Sequence, residues 1–450
     1  MAKSKQKFIC QNCEAVFYKW AGRCENCGEW NSLVEQTLPE VGRSVVARSI
    51  NNGRPLQVNS LNSIPFEEGM KRLKTGIGDL DIILGGGILP GGVTLLAGQP
   101  GIGKSTLLLQ AVSNIAHNYN VLYISGEESS GQVRLRAARL GADKSSNLNF
   151  AASTSADDIT ATIRTGKYQL VVVDSVQTLH LNEITSSPGS ISQITNSSNV
   201  IINAAKETGT SVIFVGHVTK EGSIAGPKIL EHLVDVVLQF EGDRYGGFKI
   251  VRAVKNRYGS TNEAAIFEMG EKGLRIVENP SAALLAERRD EDGSVVLATL
   301  EGARPLLVEI QALVNSTNFG YPKRTASGFD INRLNLLIAV LERRTKLKLS
   351  DKDIYINVVG GIKISDPAAD LAICMAIASA SAGRRLNYGT VVFGEVGLGG
   401  EVRSVTSIEK RIAEAKKLGF TKALAPRTSK DDFIIGVDNV RSTLIEYLQK

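Results

Sequence analysis

Apolar positions in this chain fall into short continuous runs separated by stretches with helical spacing. The runs at 93–97, 121–124, 170–174, 211–215, 234–240 and 248–254 predict strands buried on both faces, which lose the alternation of a half-exposed sheet. Between them, apolar residues recur every three to four positions, as in amphipathic helices. The alternation extends from about 61 to 275 and argues for a mostly parallel sheet with helices on both faces. A second α/β region follows over 281–450, with helical periodicity at 329–344 and 367–382 and strand-like runs at 295–300, 354–359 and 391–393. Residues 8–30 are compact and rich in Cys, Trp and Gly; 31–60 are polar and read as a linker. The expected domains are therefore 1–30, 31–60, 61–280 and 281–450.

Composition adds limits. A chain of 450 residues, 43% hydrophobic and 22% charged, has room for two or three globular domains. No apolar run reaches the length of a membrane span, so no membrane association is expected. The first residues are basic and lack an apolar signal core, which predicts a cytoplasmic protein. A net charge of +6 permits nucleic-acid binding without requiring it. Aromatics at 6% argue against a surface of many stacking rings.

The strand at 93–97 runs into Gly98-Gln99-Pro100-Gly101-Ile102-Gly103-Lys104-Ser105-Thr106. This satisfies the phosphate-binding pattern G-x-x-x-x-G-K-[ST], and helical spacing follows it. Backbone N–H groups of such a loop and the helix N-terminus behind it form an anion site. Lys104 would reach the β- and γ-phosphates of a nucleotide, and the Ser105 hydroxyl would ligate Mg²⁺. The strand at 170–174 ends in Asp174, placed to orient the same Mg²⁺. The strand at 121–124 leads to Glu127 and Glu128, either of which could polarise an attacking water. The residues alone do not choose between them.

Near the N-terminus, Cys10-x2-Cys13 and Cys24-x2-Cys27 provide two knuckles of two thiolates each. Together they make a closed tetrahedral Zn²⁺ site with no open position for catalysis. Trp20 and Trp30 are expected to cover its small core. Cys374 lies in an apolar run and is expected in a core.

Thr75-Gly76-Ile77-Gly78-Asp79-Leu80-Asp81, then Leu84-Gly85-Gly86-Gly87-Ile88-Leu89-Pro90-Gly91-Gly92, then the phosphate loop, resemble the RecA-like ATPase core. With the four-cysteine module and Lys255-Asn256-Arg257-Tyr258-Gly259, the chain resembles the bacterial RadA (Sms) family of DNA repair ATPases over nearly its whole length. The resemblance implies Glu127 as the catalytic glutamate and His217 as a γ-phosphate sensor. It also implies that Lys255 and Arg257 reach a neighbouring subunit's nucleotide. Alternation along a strand would let that pair share one side. Two segments, 180–194 and 219–230, correspond in place to DNA-binding loops, with Lys220 and Lys228 as candidate phosphate contacts.

Residues 281–450 resemble the proteolytic domain of Lon proteases. Ala368 stands at the position of the nucleophilic serine and Glu409 at that of the catalytic lysine, with Lys410 adjacent. An alanine cannot form an acyl-enzyme, so no peptidase activity is expected. The fold expected overall is α/β: a RecA-like P-loop ATPase core between a zinc-ribbon module and an inactive Lon-like domain. The resemblance implies a homo-hexameric ring on single-stranded DNA that hydrolyses ATP with Mg²⁺ and drives branch migration. It also implies branched DNA and a RecA-type recombinase as partners. An ATP-dependent protease and a non-hydrolysing ATP-binding scaffold are the competing readings.

Overall fold

The computed structural model describes residues 7–10, 15–17, 19–30, 32–36, 60, 71–217, 229–242, 247–317, 320–427 and 431–448. The chain divides into two compact units, Met1–Glu68 and Gly69–Lys450.

In the first unit the strand Lys7–Cys10 lies between Val16–Phe17 and Leu33–Gln36, antiparallel to both. The ribbon therefore continues past residue 30. The linker expected from residue 31 is corrected in its first residues, because Leu33 is buried beside Cys10 and Cys24. Phe8, Phe17 and Ala21 complete that core. Trp20 and Trp30 do not cover it: they are 61% and 68% exposed, and Arg23 lies over the Trp30 ring.

In the second unit the larger described sheet has nine strands. Six run parallel, in the order Val236–Gly242, Val93–Gly98, Ser211–His217, Leu170–Asp174, Val121–Ser125 and Leu148–Ala152. The central four, Val93–Gly98, Ser211–His217, Leu170–Asp174 and Val121–Ser125, are buried almost throughout, which is why they read as unbroken apolar runs, whereas the edge strand Leu148–Ala152 is only half-buried. An antiparallel meander, Lys249–Asn256, Ala264–Gly270 and Gly273–Ile276, extends the sheet beyond Val236–Gly242. One strand starts later than its apolar run suggests, at Val236. Asp235 ahead of it instead spends its carboxylate on Val93 N–H and Arg257.

The second sheet has the order Arg324–Ser327, Lys352–Val358, Arg304–Ser316, Ser294–Glu301, Thr390–Val392, Lys422–Pro426 and Ile434–Val437. The helix Ala369–Ala382 is apolar all round and almost wholly buried beside it, with Cys374 inside. Ile250, Ala264 and Ile266 of the meander share this domain's apolar core. Arg304 also pairs with Asp79 at 2.8 Å, so polar and apolar contacts both join the two α/β regions.

The segment 180–194 is tied back on itself by side-chain hydrogen bonds. Buried Gln193 takes the Leu181 N–H and donates to the carbonyls of Ile184 and Ser186, and a helix begins at Ile191 behind the Ser190 cap. Lys220, Lys228 and Cys13 lie outside the described residues.

Candidate nucleotide site and zinc module

Parallel register assembles the site. Gly98 pairs with His217, Asp174 with Val215, and Ser125 with Asp174. The carboxyl ends of four adjacent strands thus form one row, where ligands of open α/β sheets bind. The loop after Gly98 turns into the helix Lys104–Ile115 through Gly103 at φ 117, a conformation that favours glycine. Gly98 is constrained differently: a Cβ there would lie 2.6 Å from the Phe240 carbonyl oxygen.

Above this row lies a cleft of about 390 Å³, lined by Pro100, Gly101, Gly103, Lys104, Ser105, Thr106, Ser125, Glu127, Glu128, Arg136, Arg139, Asp174 and His217. Lys104 is only 4% exposed. Its ammonium donates to the carbonyls of Gly98 (2.8 Å) and Gln99 (3.0 Å) and to His217 Nδ1 (3.1 Å). Because an ammonium only donates, Nδ1 is the acceptor and Nε2 carries the proton toward Glu127 Oε1, 3.3 Å away. Burial lowers the Lys104 pKa to about 8, against the pull of Asp174 and Glu127.

The two glutamates occupy different surroundings. Glu127 accepts from His217 and from the Ser175 hydroxyl. These bonds, the one to His217 foremost, bring its pKa down to about 2. Glu128 is instead ion-paired with Arg136. Ser105 Oγ and Tyr123 Oη both donate to Asp174 Oδ2 at 2.6 Å. That hydroxyl–carboxylate pair at the edge of the cleft is a donor set suited to Mg²⁺, a hard cation held through few protein oxygens.

Motif reading missed Tyr123, Ser175, Arg136 and Arg139. Tyr123 was hidden inside an apolar run. The arginines sit on the helix Ser130–Leu140, where basic residues read as solvated surface. Arg136 also keeps a buried guanidinium nitrogen, Nη1, without a hydrogen-bond partner among the described residues.

Lys255 and Arg257 do not line this cleft. The strand register shifts between Ala253 and Lys255, and Arg257 follows the strand's end at Asn256. A shared side by simple alternation is thus replaced by convergence on residues 231–235. Lys255 Nζ donates to the carbonyls of Glu231 and Val234, each at 2.7 Å. Arg257 pairs with Asp235 at 3.1 Å. The glycine-rich segment supports this turn. Asn256 Nδ2 donates to the Ile83 carbonyl, and Arg72 reaches both Leu84 O and Tyr258 O. A Cβ on Gly85 would lie 2.7 Å from Tyr258 O.

In the first unit the sulfurs of Cys10, Cys24 and Cys27 lie within 4.8 Å of one another, with Cys10 and Cys27 at 3.5 Å. Tetrahedral Zn²⁺ with Zn–S bonds of about 2.3 Å separates its sulfurs by about 3.8 Å, so the three thiolates fit a shared zinc ion. Gly28 closes their turn at φ 76, its N–H on the Cys24 carbonyl.

Known families share these features. The family model described as an AAA domain matches residues 69–223. That of a rubredoxin metal binding domain matches 8–35. That of subunit ChlI of Mg-chelatase matches 334–429. The DNA repair protein RadA of Bacillus subtilis is 47% identical over 457 residues, covering 99% of each chain. That of Pseudomonas aeruginosa is 46% identical, covering 95% of this chain and 94% of its own. The chain belongs to the RadA family.

In this RadA-family chain the Lon-like domain carries a buried ion pair near Ala368. Ala368 is fully buried and donates its N–H to Asp366 Oδ1 at 3.0 Å. Asp366 also pairs with Arg411 at 2.7 Å and accepts from Thr299. Arg411, fully buried, donates further to the Ala298 and Thr406 carbonyls. Glu409 is exposed, and Lys410 reaches out to the Ala303 carbonyl. Among the described residues no helix is long and apolar enough to cross a membrane.

Proposed function

We propose that this RadA-family chain is a cytoplasmic, DNA-dependent ATPase motor of recombinational repair. In this reading it forms a hexameric ring on single-stranded DNA and promotes branch migration of intermediates made by a RecA-type recombinase. The observation that carries the reading is the convergence of Lys104, Ser105, Glu127, Asp174 and His217 on one cleft, with Arg257 set apart from it. The strand Val93–Gly98 separates the phosphate loop from the Asp235–Arg257 pair at its other end. Five residue steps of about 3.3 Å make that about 17 Å. Arg257 is therefore poorly placed for its own nucleotide, which supports a role at a neighbour's.

Each residue then has a task. The backbone of residues 98–103, with Lys104 and Thr106, binds the phosphates. Ser105 and Asp174 hold Mg²⁺, which neutralises phosphate charge, and Tyr123 fixes the carboxylate. Glu127, ionised and oriented by Ser175 and His217, polarises the attacking water. His217 stands between Lys104 and Glu127 and starts the segment that holds Lys220 and Lys228, the proposed DNA contacts. Arg257, with Lys255 beside it, acts across the subunit interface on transition-state charge. Cys10, Cys13, Cys24 and Cys27 hold a structural zinc. Ala368 offers no nucleophile, so the C-terminal domain serves as a scaffold of the ring rather than as a peptidase. The domain limits we assign are 61–280 for the ATPase and 281–450 for the Lon-like domain.

The test is ATP turnover with and without single-stranded DNA at modest salt, paired with light scattering for oligomer size. Stimulation by DNA that disappears in Lys104→Ala supports the motor. Turnover indifferent to DNA supports an ATP-binding scaffold instead. Lys104-dependent proteolysis of an unfolded protein would revive the protease reading.

A further inference from the structure

The Lys255–Gly259 signature is fastened to its own subunit through Asp235. This carboxylate is 2% exposed, yet two donors from distant parts of the chain end on it. Oδ2 accepts the Val93 N–H at 3.0 Å, and Oδ1 accepts Arg257 Nη1 at 3.1 Å. The backbone of Asp235 repeats both links: its N–H donates to Val93 O (2.9 Å), and its carbonyl accepts the Arg257 N–H (3.1 Å). Val93 opens the strand that ends at Gly98, where the phosphate loop begins.

Arg257 remains 53% exposed although its partner is buried. One face of the guanidinium is thus held while the rest faces outward. The backbone around it is fixed as well, by Arg72 on Tyr258 O and by Lys255 on the carbonyls of 231 and 234. A planar guanidinium is suited to this double use, because its five donors leave several free when one is engaged.

We propose that Asp235 is the positioning residue that aims Arg257 at the neighbouring subunit's nucleotide and ties that aim to the strand feeding its own phosphate loop. This rests on the reading of Arg257 as a residue acting in trans. Asp235 touches no nucleotide; it acts through Arg257. Misplacing a catalytic group by about 1 Å costs about 100-fold in rate. Asp235→Asn, which keeps shape but loses one acceptor oxygen, is therefore expected to lower kcat by 10- to 100-fold. KM for ATP and binding of a fluorescent ATP analogue should change less than about 3-fold, since the cleft itself is intact.

Mixed full-length rings decide the matter. Lys104→Ala subunits cannot turn over ATP but keep Arg257 in place. Mixed with Asp235→Asn subunits, they should present correctly aimed arginines to intact phosphate loops, and turnover should rise well above the sum of the two alone. Arg257→Ala mixed with Lys104→Ala should be rescued in the same way. Rescue of Arg257→Ala without rescue of Asp235→Asn overturns the role of Asp235 and leaves Arg257 acting in trans. Rescue of neither overturns the trans reading itself. Unchanged turnover of Asp235→Asn on its own also overturns the proposal.

Discussion

The Lys104 ammonium lies 3.1 Å from His217 Nδ1, and the other nitrogen of that ring lies 3.3 Å from Glu127. The phosphate-loop lysine and the carboxylate are therefore joined through one imidazole. A γ-phosphate that draws Lys104 away would leave His217 with a single partner on this path.

Nucleotide binding should take up protons near pH 8. Burial brings the Lys104 pKa down to about 8, so about half of the free chain is neutral there, while bound phosphate favours the ammonium. Calorimetry with MgATP in two buffers of different ionisation enthalpy should give different heats at pH 8 and matching heats at pH 6. Matching heats at both pH values would refute the assignment.

Glu127→Gln should retain ATP binding and lose about 10²- to 10⁴-fold in turnover, the usual range for a general base. Glu128→Gln should lose less than about 10-fold, because Arg136 already engages that side chain. Steady-state ATPase rates with fluorescent-nucleotide binding separate the two. The sign of the pH effect is also fixed. Glu127 has a folded pKa near 2, held down chiefly by His217. Its contribution to stability is present above the ordinary carboxylate value and is lost as pH falls toward 2.

Cys27→Ser should release zinc while Gly69–Lys450, a separate compact unit, keeps its melting transition. Metal content by atomic absorption and a thermal melt check the two halves. Full zinc occupancy would rule out Cys27 as a ligand.

Asp366→Ala should destabilise the C-terminal domain by about 3–5 kcal/mol, the cost of leaving a buried charge unpaired. Burial pushes the Asp366 pKa up, but the hydrogen bond and charge of Arg411 outweigh it and the net shift is downward. Urea unfolding monitored by circular dichroism gives the difference. A change under about 1 kcal/mol would mean that solvent reaches Arg411 when Asp366 is gone.

The sequence by itself determined the buried parallel strands, the phosphate loop, the paired cysteine spacing and the lack of a hydroxyl at Ala368. Each of these is local: a run of apolar residues, a fixed spacing, or the chemistry of one side chain. Tertiary structure alone decided which residues meet. Glu127 and Glu128 are neighbours of like charge; strand register puts Ser175 and His217 beside one, and the helix Ser130–Leu140 puts Arg136 beside the other. Trp20 and Trp30 are expected to cover the zinc module's core, but that core is filled by Phe8, Phe17 and Leu33 instead. The sequence placed Lys255 and Arg257 on a strand; the bulge at Ala253 and the buried Asp235 gave them their direction. Hydrophobic period is written along the chain, whereas partners depend on pairing between segments more than a hundred residues apart, such as Val93 and Asp235.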